Sequence, residues 1–104
     1  MILIKINYEN DNYKKKFKME IQVNKMEDLM TSNLMDIISG AYRFKANRQE
    51  RIIYIQERMA QIYPNILWNV LIYTDGNCSV KYSETYYFSC ILNNEIIIIF
   101  GNNS

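Results

Sequence analysis

The chain contains no histidine, and that absence removes more chemistry than the residues present supply. Without imidazole there is no Ser-His-Asp or Cys-His arrangement, no ordinary general base near neutral pH and little means of holding zinc. The candidate nucleophiles are Cys78 and Cys90. They lack C-x-x-C spacing and a visible activating neighbour, so two reduced, partly buried thiols are expected, with an oxidative bridge open if their strands lie side by side. The carboxylates are scattered and form no recognisable pair. The three glycines, Gly40, Gly76 and Gly101, build no phosphate-cradling loop. Lys14, Lys15, Lys16 and Lys18 form a basic cluster, but no second basic stripe and no aligned aromatics accompany it. It reads as a solvated strand face or a lysine-protected edge rather than a nucleic-acid patch. These residues predict a protein that is not an enzyme, with no metal or cofactor, and turn attention to binding.

Bulk composition agrees with a binding domain. A chain of 104 residues, 49% of them apolar, has room for one modest core. A net charge of +1 supplies no field to steer it toward nucleic acid or anionic lipid. Residues 1–6 alternate with Lys5 and do not read as a signal peptide. The apolar run 96–100 is far short of the roughly 20 residues that span a bilayer. A cytoplasmic protein with no membrane or nucleic-acid partner is expected.

The elements that would present a binding surface follow from periodicity. Residues 63–100 contain four short apolar and aromatic runs separated by Asp, Gly, Asn, Ser and Glu, the punctuation of a small antiparallel meander. Within it Thr74-Asp75-Gly76-Asn77 reads as a tight hairpin turn, since Asp-Gly readily adopts positive φ. The unbroken run 96–100 predicts an interior strand covered on both faces. Upstream, Ile2, Ile4, Ile6 and Tyr8 alternate, Glu9-Asn10-Asp11-Asn12 is a turn cluster, and Tyr13, Phe17, Met19, Ile21 and Val23 continue the pattern, so a hairpin is expected. Asn24 and Glu27 have capping-box spacing before an amphipathic helix with Met30, Leu34, Ile37, Ile38, Ala41 and Phe44 on one face. Gly40 within it is expected to permit close approach to the sheet. Asn47 and Glu50 repeat the spacing before a second helix with Ile52, Ile55, Met59 and Ile62 inward, Arg51 on the wet side and Pro64 at its end. The fold class is therefore α+β, two helices packed on a small antiparallel sheet.

Such a sheet leaves one face bare, and the apolarity of residues 96–99 suggests that a second copy covers it. The strand expected at residues 77–82 is a candidate edge, where open backbone amides and carbonyls can pair with another chain.

The ordered set Tyr63-Pro64, Trp68, an apolar strand, Gly76, Val80, Glu84-Thr85, Phe88 and a closing aliphatic run to Phe100 resembles the hub-type dynein light chains, as distinct from the Tctex and roadblock types. Met26 and Met30 look like the paired methionines that open that family's first helix. The resemblance covers about residues 21–100. It divides the chain into an N-terminal extension, 1–20, and a light chain-like domain, 21–104.

The resemblance implies a strand-exchanged homodimer in which one strand crosses to the partner's sheet and extended client segments, such as the dynein intermediate chain or other disordered peptides, lie along it. It places the crossed strand and peptide groove at Gly76, Asn77, Cys78, Ser79, Val80, Lys81 and Tyr82. It places the dimer interface at Trp68, Asn69, Val80, Glu84 and Thr85. The implied location is the cytoplasm, on microtubule-associated or axonemal dynein. Several positions depart from the pattern: Asp75 replaces an aromatic residue, residues 77–80 hold one residue more, Ser83 and Asn69 replace histidines, and Cys90 and Leu92 stand where groove-lining tyrosines are expected. These departures favour an alternative within the same resemblance, a structural axonemal subunit or dedicated dimerisation module with no general peptide-binding role.

Overall fold

The computed structural model describes residues 5–10, 15–74 and 85–103, which form two helices and five strands. In chain order these are β1 (Lys5–Asn10), β2 (Lys15–Asn24), α1 (Asp28–Phe44), α2 (Arg48–Ile62), β3 (Ile66–Tyr73), β4 (Tyr86–Leu92) and β5 (Glu95–Asn103). The strands make one antiparallel sheet in the order β1-β2-β4-β5-β3, and both helices pack on one face of it. The expected α+β class is the observed one, and so is the N-terminal hairpin, whose register sets Lys5 opposite Glu20 and Asn10 opposite Lys15.

The expected simple meander is not kept among the described strands. β3 does not pair with β4, because β5 inserts between them and takes β3 on one side and β4 on the other. Asn93 and Asn94, with φ of 52° and 64°, form a two-residue turn that folds β5 back beside β4. The other edge of β4 is taken by β2, so β3 joins the sheet at the free edge of β5. β5 is the interior strand that its aliphatic run predicts: Ile97 and Ile99 are fully buried against the helices and Ile98 is buried on the other face.

Helix ends follow side-chain chemistry. Asn47 caps α2 by accepting the Glu50 N–H at 2.9 Å, while the Glu50 carboxylate takes the Asn47 side-chain amide at 2.6 Å. The cap expected at Asn24 is different. Asn24 is still the last residue of β2, and its oxygen accepts the Met26 N–H at 2.8 Å in an Asx turn. Its amide reaches Thr31 Oγ1 at 2.9 Å, and α1 begins only after Glu27, whose side chain makes no cap. The start of α1 is thus tied to the end of β2. Tyr63 closes α2 through its N–H to the Met59 carbonyl, and Pro64 follows.

The core holds Met30, Leu34, Ile37, Ile38 and Ala41 of α1 and Ile55 and Met59 of α2. Phe44 and Ile62, each the last residue of its helix, are exposed instead. Gly40 serves helix–helix rather than helix–sheet contact: a Cβ there would lie 2.8 Å from the Tyr54 hydroxyl. Gly101 is more constrained, since a Cβ would meet Ile66 Cγ2 at 2.7 Å and the Leu67 carbonyl at 2.8 Å. Gly101 stands between Trp68 and Tyr86 in the sheet. With no side chain in that gap, the two rings approach to 5.9 Å between centroids.

Candidate interaction edge

Neighbouring backbone groups on β3 point in opposite directions, and the turn between β4 and β5 determines which way. A two-residue turn makes its flanking residues, Leu92 and Glu95, a hydrogen-bonded pair. Alternation then aims the odd-numbered residues of β5 at β4 and the even-numbered ones at β3. In β3 the odd-numbered residues Leu67, Asn69, Leu71 and Tyr73 therefore bond to β5, and Trp68, Val70 and Ile72 turn their N–H and C=O groups to the outer edge. Two independent contacts fit this parity: the Lys25 N–H reaches the Tyr87 carbonyl at 2.8 Å on the β2 side, and Gln56 of α2 donates to the Trp68 carbonyl at 3.1 Å on the outer side.

The first half of that edge is occupied from within the chain. The Ile66 N–H takes the Tyr63 carbonyl at 3.3 Å, the Trp68 indole N–H takes the same oxygen at 3.3 Å, and Gln56 takes the Trp68 carbonyl. Among the described residues no strand pairs with the second half, Val70 to Tyr73. The side chains there are uncharged, and those on the helix-free face alternate Leu67, Asn69, Leu71, with Leu67 64% and Leu71 37% exposed. Ile91, Ile96, Ile98 and Phe100 continue this face inward from the edge.

Of the residues singled out from sequence, Gly76, Asn77, Cys78, Ser79, Val80, Lys81, Tyr82 and Glu84 lie outside the described residues. Trp68 has its indole in the core against Tyr63 and Tyr86, so only its backbone stands on the edge. Asn69 is exposed on the opposite face, with Phe100 as its strand partner. Thr85 is exposed and its N–H donates to Asn102 Oδ1 at 3.3 Å. Cys90 and Leu92 do not line a groove. They are fully buried beneath the helices, and the residues of β4 that face the other way are Ser89 and Ile91. Strand alternation makes this a one-residue offset in the matching of positions. Burial pushes the Cys90 thiol up to about 12, which leaves it inert as a nucleophile.

A polar network with no local signal in the sequence ties α2 to β5 through Glu95. The Glu95 carboxylate accepts the Tyr42 hydroxyl at 2.8 Å, Arg48 Nε at 3.2 Å and Arg51 Nη1 at 3.4 Å. Arg51 also lies over the Tyr42 ring, 4.3 Å from its centroid, and donates to the Lys45 carbonyl. Burial first, and the Glu95 carboxylate second, raise the Tyr42 hydroxyl well above its ordinary pKa. The four groups bond to one another, as a structural network does, and Arg51, expected on the wet side, is half-buried over the Tyr42 ring. Among the described residues no group of three or more potential metal ligands gathers, and no helix is long and apolar enough to cross a membrane.

No protein-family model and no curated protein matches this chain.

Proposed function

We propose that this protein is a non-catalytic, homodimeric light chain of a dynein motor complex that binds extended partner segments by strand addition. The observation that carries the reading is the edge of β3. It joins backbone groups at Val70 and Ile72 that no strand pairs with among the described residues to an uncharged strand and exposed leucines on the adjoining sheet face. Backbone pairing supplies affinity at such an edge and alternate side chains supply selectivity. In this reading residues 76–82 of one copy pair with β3 of the other, and client segments such as the dynein intermediate chain lie along the far side of the exchanged strand.

The alternative, a structural dimerisation module without general peptide binding, is favoured by Ser89 and Ile98, which are already buried on the helix-free face and so offer a client little surface there. Sedimentation tests the dimer, and capture of a dynein intermediate-chain segment against an unrelated peptide carrying Thr-Gln-Thr separates the two. A folded monomer at high protein concentration defeats both readings. A dimer that captures neither peptide leaves the structural one.

A further inference from the structure

We draw no further inference here: the strongest candidate, the helix-free sheet face where the exposed Leu67 and Leu71 stand beside the outer edge of β3, carries nothing because nothing in the structure shows what covers it.

Discussion

β1 and β3 are the two outer strands of one sheet, and they solve the problem of an unpaired edge with different residues. β1 reads Lys-Ile-Asn-Tyr-Glu-Asn, and its partner β2 brings Lys15, Lys16 and Lys18 opposite Asn10, Glu9 and Asn7. Charge at that density discourages another strand from docking. β3 reads Ile-Leu-Trp-Asn-Val-Leu-Ile-Tyr, with no charge at all. Its first half is covered by α2 and the Tyr63 turn, and its second half has neither lysine nor proline to defend it. The two ends of the sheet therefore present different surfaces. Charge discourages a second strand at one, and nothing among the described residues does so at the second half of the other.

Charging the β3 edge is the strongest way to break that contrast. Leu71→Lys places a lysine on the exposed face of β3, where a docked second copy would have to take it out of water. Self-association should weaken on the order of 100-fold, since an unpaired charge taken out of water costs several kcal/mol. The monomer fold should survive, because Leu71 is 37% exposed. Asn7→Lys on β1 should leave association unchanged. Equal weakening by both substitutions, read by sedimentation equilibrium, would abolish the distinction between the edges.

The covered half of β3 depends on where α2 sits, and Glu95 holds α2. Glu95→Ala strands the Tyr42 hydroxyl and two guanidinium groups, so unfolding by urea should show a loss of about 2 kcal/mol. If α2 loosens, Gln56 loosens with it, and the Trp68 edge opens. A smaller effect follows from Tyr42 itself. Its folded-state pKa is raised above the ordinary 10.0, so the folded protein favours the neutral phenol. Stability from this source is complete below about pH 10 and declines as pH rises beyond it, because the unfolded chain ionises first. Tyr42→Phe should be less stable at pH 8 and should have a flatter profile between pH 9 and 11. An unaltered alkaline slope in that variant would assign the slope to other groups.

Much of this architecture is legible in the residues, and the illegible parts have physical causes. Alternation and helical spacing locate both helices, the N-terminal hairpin and the interior character of β5, because each is a local pattern that burial enforces. Strand order is not local. Asn93-Asn94 marks the β4–β5 hairpin, but that β2 and not β3 takes the other edge of β4 depends on residues far apart in the chain. Phe44 and Ile62 continue an apolar stripe that the core does not, since periodicity carries no information about where the sheet ends. Gln56 and Glu95 give no signal in sequence. Their partners, the Trp68 carbonyl and Tyr42, are 12 and 53 residues away, and a single polar residue on a helix or in a turn is unremarkable until the fold brings its partner near. The burial of Cys90 and Leu92 is equally non-local: alternation says that 90 and 92 share a face with Phe88, not which face the helices cover.

The smallest expected effect is an absence, and it sharpens the comparison at Asn69. This residue stands on the exposed face of β3 between Leu67 and Leu71, at the edge assigned to association. The chain has no histidine, so no side chain carries an ordinary pKa between pH 5 and 7. Self-association should therefore be constant as pH falls from 7 to 5, and a dissociation midpoint near pH 6.5 in the wild type would contradict the assignment. Asn69→His should create the dependence that the wild type lacks. A neutral imidazole can be covered by a partner, but below about pH 6.5 covering it requires either desolvating a charge or losing a proton. The variant should then associate as the wild type does at pH 8 and weaken progressively toward pH 5. The same substitution at Asn7 on β1 should change nothing at either pH, because the proposed association does not involve that edge. Matching pH profiles for the two histidine variants would show that the sheet does not distinguish its edges.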